Sequence, residues 1–151
     1  MTRRVMVVGR TGVGKTTLLQ KLGLLSSTVK KTESVEYAPQ FIDTPGEFME
    51  MSRFYHALIT SSTKADAIVL VVDASNPGQL SPGISKAFAA PVLGCVNKID
   101  LLDSNYEGKV DYARKKLLEA GVEEVYAVSA KEGTGVRELK ARIEEILWRC
   151  A

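Results

Sequence analysis

The residues from Gly9 to Thr16, with the sequence GRTGVGKT, match the pattern G-x-x-x-x-G-K-[ST]. This run lies between an apolar segment typical of a strand and a segment with helical spacing, which is the setting that the pattern requires. Its glycines allow successive backbone N–H groups to point at a polyphosphate, and the N-terminus of the next helix favours the same anion. A glycine-rich turn with a surface lysine is the alternative, but the complete pattern rarely occurs by chance in this setting.

Each part of this phosphate loop has an expected role. The Lys15 ammonium would reach the β- and γ-phosphates of a nucleotide and would act in catalysis, and the Thr16 hydroxyl would bind Mg²⁺. The residues expected to contact the nucleotide here are Gly9, Thr11, Gly12, Val13, Gly14, Lys15, Thr16 and Thr17. A phosphate loop alone does not identify the base, so the later motifs have to narrow the choice.

A second motif, Asp43-Thr44-Pro45-Gly46, fits the pattern D-x-x-G directly after a predicted strand. Asp43 would hold Mg²⁺ through water, and the Gly46 N–H would contact a γ-phosphate. Taken alone this motif is weak, because the same residues also form an ordinary turn.

A third motif, Asn97-Lys98-Ile99-Asp100, matches N-K-x-D and is more specific. The Asp100 carboxylate can accept hydrogen bonds from the ring N–H and the exocyclic amino group of guanine. Adenine lacks both donors at that edge and would leave the carboxylate unpaired, at a large cost. The Lys98 stem can lie over the purine ring, and Asn97 can tie this loop to the phosphate loop. A strand end capped by polar residues is the alternative.

A fourth motif, Ser129-Ala130-Lys131, follows the last predicted strand and would place the Ala130 N–H on guanine O6. It is weak by itself, since many loops contain these residues. The order of the four motifs, each directly after a predicted strand, makes a guanine-nucleotide site the best interpretation.

The elements that must position these motifs alternate between strands and helices. The sequence predicts strands at 3–8, 34–37, 40–43, 67–73, 91–96 and 125–128, and helices at 15–25, 47–60, 82–89, 107–120 and 135–149. Residues 26–32 are polar and are expected to form a loop, while Ser81 and Pro82 have the residue types of a helix N-cap and first turn. This alternation predicts a three-layer α/β/α P-loop NTPase fold, with a mostly parallel sheet and one antiparallel edge strand. Ligands of such folds bind at the carboxyl ends of the strands.

The composition is that of an ordinary globular protein. A length of 151 residues predicts a single domain over 1–151, and the net charge of +2 gives no basic field for a nucleic-acid partner. Cys95 and Cys150 lack metal-type spacing and are expected to be reduced thiols of a cytoplasmic protein. No apolar stretch approaches the roughly 18 residues of a membrane span.

The four motifs together resemble those of Ras-like and translation-factor-like small GTPases over essentially the whole chain. Segments 31–37, 42–48 and 53–60 are similar to the EutP/PduV family, small P-loop proteins encoded with the ethanolamine- and propanediol-utilisation systems of bacterial microcompartments. The resemblance implies a cytoplasmic bacterial protein that binds GTP or GDP with Mg²⁺ and is linked to such a shell through a protein partner. An acetate-kinase role has been proposed for the family, but the intact N-K-x-D motif favours GTP.

The residues around the γ-phosphate are less well defined. We expect a second Mg²⁺ ligand from a threonine after the first helix, with Thr32 preferred over Thr28. Ras-like enzymes carry a water-orienting glutamine where this chain has Glu47; a carboxylate near the γ-phosphate predicts slow hydrolysis, unless Glu47 only favours the start of the next helix. Arg10 and Arg53 could supply an internal arginine finger, although both are more often surface charges, and His56 is more often a packing or surface residue.

These observations favour a GTP-binding switch with slow Mg²⁺-dependent hydrolysis. One rival function is a small-acid kinase that passes the γ-phosphate of ATP or GTP to acetate. The other is a non-catalytic adaptor that a bound nucleotide stabilises. The sequence does not indicate the oligomeric state.

Overall fold

The computed structural model describes residues 3–30, 40–46, 49, 52–102 and 104–149. Within these ranges the strands are β1 (Arg4–Gly9), β2 (Gln40–Asp43), β3 (Ala67–Asp73), β4 (Val92–Asn97) and β5 (Glu124–Ala127). The α-helices are α1 (Lys15–Lys30), α2 (Tyr55–Ser62), α3 (Tyr106–Glu119) and α4 (Val136–Arg149). Short 3-10 helices span Ser52–Phe54, Ile84–Ala87 and Ile99–Leu101.

The described strands form one sheet in the order β2-β1-β3-β4-β5. All four neighbouring pairs run parallel, so every described strand ends at the same edge of the sheet. This arrangement confirms the predicted α/β class, and it brings the loops that follow the strands to one side of the molecule.

Apolar residues cover both faces of the sheet, because successive strand side chains point to opposite sides. Val5 and Val7 face a layer made by α1 and α4, whose buried members include Leu18, Leu22, Leu139 and Ile143. Met6 and Val8 face a layer made by α2 and α3, whose buried members include Leu58, Ala113 and Leu117. Continuous burial of a strand such as β3 is typical of a parallel sheet with helices on both faces.

The predicted antiparallel edge strand is wrong for the strands that the structure describes. The chain passes from β1 through α1 before it enters β2, and a crossover of this kind returns the chain parallel to the strand that it left. Residues 34–37, which the sequence predicts as a further strand, lie outside the described residues.

Two predicted helix boundaries are also wrong. Helix α1 continues to Lys30, so residues 26–30 are helical although their polar sequence predicts a loop. The predicted helix over 82–89 is only a single 3-10 turn, because Gly83 adopts a left-handed backbone (φ 72°) that stops helical propagation from Pro82. The Ser81 hydroxyl donates to the Tyr55 hydroxyl (3.2 Å) instead of capping a helix.

The remaining helices agree with the sequence where they are described. Of the predicted helix over 47–60, residues 52–54 form a 3-10 turn that leads into α2, and α2 continues two residues beyond the predicted end, to Ser62. Residues 47, 48, 50 and 51 lie outside the described residues. Helices α3 and α4 begin and end within about one residue of their predicted limits, within the usual tolerance for such assignments. Every helix in the described ranges is too short or too polar to cross a bilayer.

Candidate functional site

The four sequence motifs lie at the carboxyl edge of the sheet. The phosphate loop follows β1, the D-x-x-G turn follows β2, the N-K-x-D loop follows β4, and the residues 129–131 follow β5. Parallel pairing places all of these loops on one side, where open α/β sheets bind their ligands.

The phosphate loop has the backbone that its glycines predict. Gly12 (φ 86°) and Gly14 (φ 92°) are left-handed, which a residue with a side chain rarely adopts. The buried Lys15 ammonium donates to the carbonyl oxygens of Gly9 (2.9 Å) and Arg10 (3.3 Å). These bonds hold the lysine ammonium against the first two residues of its own loop. Thr16 and Thr17 are exposed in the first turn of α1.

The D-x-x-G turn touches the phosphate loop directly. The buried Thr44 hydroxyl donates to the Val7 carbonyl (2.9 Å), and its N–H donates to the Asp43 carboxylate (2.9 Å). Gly46 lies so close to the backbone N–H of Thr11 that a Cβ at this position would clash with it. Only glycine permits this approach. Glu47, which the sequence predicts as a water-positioning residue, lies outside the described residues.

Asn97 joins the N-K-x-D loop to two other loops. Its buried amide group donates to the Val13 carbonyl (2.9 Å), and its side-chain oxygen accepts the Ala130 N–H (2.9 Å). The first bond confirms the predicted tie between this loop and the phosphate loop. The second bond differs from prediction, because the Ala130 N–H assigned to guanine O6 donates to Asn97 in this structure.

Asp100 has a partner in the loop after β5. Its carboxylate accepts a hydrogen bond from the Ser129 hydroxyl (2.8 Å), whose oxygen in turn accepts the Glu132 N–H (3.1 Å). The carboxylate is therefore held by a serine that the sequence singles out only as part of a weak motif. Lys131, in the same loop, is exposed.

Lys98 extends toward the phosphate loop. Its ammonium donates to the Gly12 carbonyl (2.5 Å) and forms an ion pair with the Asp73 carboxylate (3.5 Å). Asp73 ends β3 and is not among the residues that the sequence assigns to the site. The available signal was its position, since it ends a buried apolar strand at the same edge as the motifs.

The predicted Mg²⁺ ligands are only partly described. Thr16 and Asp43 are exposed at the carboxyl edge, Thr28 lies within α1 with its side chain undescribed, and Thr32 lies outside the described residues. The described residues contain no cluster of three or more acidic, histidine or cysteine side chains suited to a metal. A hydroxyl and a carboxylate fit Mg²⁺, because this ion keeps several waters and completes its shell with phosphates.

The other polar candidates differ in their surroundings. The Arg10 side chain packs against the loop after β3, where its guanidinium would contact a Cβ placed on Gly78 (2.5 Å). Arg53 lies over the Phe54 ring (4.9 Å), and His56 is exposed on α2. Burial raises the pKa of the Cys95 thiol in β4, so this cysteine stays protonated and is a poor nucleophile.

A cavity of about 650 Å³ opens at the opposite edge of the sheet. Its charged lining residues are paired with one another: Arg142 forms two bonds to Glu124, and Lys86 pairs with Glu123. The hydrogen bond to Glu124 raises the pKa of Arg142. The cavity contains none of the four motifs, and its neutralised charges give no reason to assign the function there.

The Asn97 side chain should also contribute to folding. Replacing it with alanine leaves the Val13 carbonyl and the Ala130 N–H without their partner in a buried region, so we expect a loss of about 3 kcal/mol in the free energy of unfolding. Urea unfolding of the nucleotide-free protein measures this loss. The exposed Gln20→Ala on α1 is the control and should change stability by less than about 0.5 kcal/mol. Equal stability of the two variants would contradict the bridging role of Asn97.

The parallel sheet and the loops at its carboxyl edge define the fold of P-loop GTPase domains. A solved structure of translation elongation factor SelB from Methanococcus maripaludis, in complex with the GTP analogue GPPNHP, superimposes with a TM-score of 0.69 at 22% identity. The match covers 97% of this chain and 34% of the SelB chain, so this chain spans about a third of that protein.

A family model described as "Ethanolamine utilisation - propanediol utilisation" (PduV-EutP) matches residues 2–145, and the chain belongs to this family. It is 36% identical over 138 residues to "Propanediol utilization protein PduV" of Citrobacter freundii, covering 91% of this chain and 90% of that protein. It is 35% identical over 145 residues to "Probable acetate kinase EutP" of Escherichia coli K12, covering 91% and 86% of the two chains.

Proposed function

We propose that this protein binds GTP and GDP and hydrolyses GTP slowly, as a small GTPase of ethanolamine or propanediol utilisation. The observation that carries the proposal is the direct contact between the N-K-x-D loop and the phosphate loop. Asn97 bonds to Val13 and Lys98 bonds to Gly12, so the base-reading and phosphate-binding loops are close enough for one nucleotide to reach both.

In the proposed complex the phosphate loop cradles the phosphates through its backbone N–H groups and the N-terminus of α1. The Lys15 ammonium contacts the start of this loop, and its charge would offset the negative charge of the β- and γ-phosphates. Gly46, which already contacts Thr11, would supply the N–H nearest to the γ-phosphate. Thr16, Asp43 and the undescribed Thr32 would hold Mg²⁺, which supplies charge neutralisation when bound.

At the end of the proposed site opposite the phosphates, Asp100 would recognise the guanine base by hydrogen bonds. Its carboxylate keeps an acceptor oxygen beyond the one that Ser129 occupies, and an ionised carboxylate has several acceptor sites. Because Asn97 uses the Ala130 N–H, the neighbouring N–H of Lys131 is the better candidate for guanine O6.

The family description supports a role in ethanolamine or propanediol utilisation. We further propose a microcompartment-associated protein as the partner and a cytoplasmic location. Slow turnover is proposed because Glu47 occupies the position of the water-orienting glutamine. The name of the Escherichia coli relative raises a second candidate, transfer of the γ-phosphate to acetate.

Calorimetry with GDP, GTP and ATP in the presence of Mg²⁺, followed by a phosphate-release assay with and without acetate, tests the proposal. We expect GDP and GTP to bind at least about 100-fold more tightly than ATP, since adenine leaves the Asp100 carboxylate unpaired. GTP should release phosphate slowly and acetate should not change the rate. A preference for ATP with formation of acetyl phosphate would support the kinase, and tight GTP binding without turnover would support an adaptor.

A further inference from the structure

Asp73 lies where the N-K-x-D loop and the phosphate loop meet. It is the last residue of β3 and pairs in register with Asn97, the last residue of β4. Its side chain is only 20% exposed, so its charge is screened less than that of a surface carboxylate.

The two oxygens of the Asp73 carboxylate have different partners. Oδ1 accepts hydrogen bonds from the Ser75 N–H (2.8 Å) and from the Ser75 hydroxyl (2.7 Å), as in an Asx turn. Oδ2 faces the Lys98 ammonium (3.5 Å). Ser75 therefore fixes the direction of the carboxylate, and this direction presents Oδ2 to the lysine.

Lys98 is held at its backbone and at its charged end. Its backbone is left-handed (φ 68°), which is uncommon for a residue with a long side chain. Its ammonium is bound by the Gly12 carbonyl and by Asp73, so the aliphatic stem must cross the space between the N-K-x-D loop and the phosphate loop. Near Gly14 the stem is close enough that a Cβ there would lie 3.6 Å from Lys98 Cε.

We propose that Asp73 is a positioning residue for guanine-nucleotide binding, which acts by holding the Lys98 stem in place before the nucleotide arrives. This inference rests on the proposed function. A lysine that is already ordered loses less conformational freedom when a purine packs against it, so affinity rises without any contact between Asp73 and the ligand. Asp73 also balances the charge of the Lys98 ammonium, which donates to the Gly12 carbonyl in the phosphate loop.

A double-mutant cycle tests the inference. Asp73→Asn keeps the shape of the side chain and removes its charge, and we expect GDP affinity to fall about tenfold, or about 1.4 kcal/mol. In a Lys98→Gln background the same Asp73 change should have no further effect, because the residue through which it acts is gone. Ser75→Ala should weaken GDP binding in the same direction and by less, and it serves as a second variant if Asp73→Asn folds poorly.

Asp66→Asn is the matched control. Asp66 precedes the same strand, accepts a backbone N–H from Arg4 and pairs with Arg3, but lies at the opposite edge of the sheet. The Asp66→Asn change should leave GDP affinity unchanged. Unchanged affinity in Asp73→Asn, or a tenfold loss that persists in the Lys98→Gln background, would overturn the inference while the proposed function stands. A wild-type protein that binds no guanine nucleotide would overturn both.

Discussion

Replacing Lys15 with alanine should lower the rate of GTP hydrolysis by at least about 100-fold, which is typical of losing one charged donor at a reacting centre. The Lys15 ammonium is buried within the phosphate loop and donates to the Gly9 and Arg10 carbonyls, so alanine at this position removes a positive charge from the loop that would bind the phosphates. Single-turnover phosphate release measures the rate.

The control for this variant is Lys86→Ala. Lys86 is exposed, pairs with Glu123 and lies at the opposite edge of the sheet, so its loss should leave hydrolysis unchanged. Circular dichroism checks that both variants are folded. Hydrolysis by Lys15→Ala within a few fold of the wild-type rate would mean that the phosphate loop does not act on the γ-phosphate.

Replacing Asp100 with asparagine should remove the preference for guanine, with a loss of at least about 100-fold in GDP affinity. The carboxylate offers only acceptors, whereas the amide places a donor opposite the guanine amino group. Xanthine carries a carbonyl oxygen at that position of the ring, so the variant should bind xanthosine diphosphate better than GDP. Competition calorimetry with the two nucleotides measures the change.

Asp111→Asn is the control for the base-reading prediction. Asp111 is exposed on α3, and the same change of charge there should alter neither affinity. Unchanged GDP affinity in Asp100→Asn would show that another group reads the base. The Ser129 bond should survive in this variant, since an amide oxygen also accepts from a hydroxyl.

The strands, and the carboxyl edge of the sheet as the place of the candidate site, can be predicted from local sequence signals. The run from Ala67 to Val72 is apolar and rich in β-branched residues, which is typical of a strand covered on both faces. The phosphate loop combines fixed residue types with a strand before it and a helix after it. Signals of this kind depend on residues close together in the chain, so they can be recognised without knowledge of the three-dimensional structure.

The errors arise where distant residues decide the outcome. Ser81 and Pro82 carry the signals of a helix start, but Gly83 is left-handed and the Ser81 hydroxyl bonds to Tyr55. No spacing rule links Asp73 to Lys98, because any polar residue could end β3. The Ala130 N–H donates to Asn97 rather than remaining available to a ligand, and only the packing of two loops determines which N–H faces outward.

The bonds that assemble the candidate site span long distances along the chain. Val13 and Asn97 are 84 positions apart, and Gly12 and Lys98 are 86 positions apart. A nascent or partly unfolded chain that has not yet docked β4 beside β3 therefore has no complete site. Any ligand held by both loops binds only the native state, so it stabilises the entire domain by mass action and slows hydrogen exchange throughout the sheet.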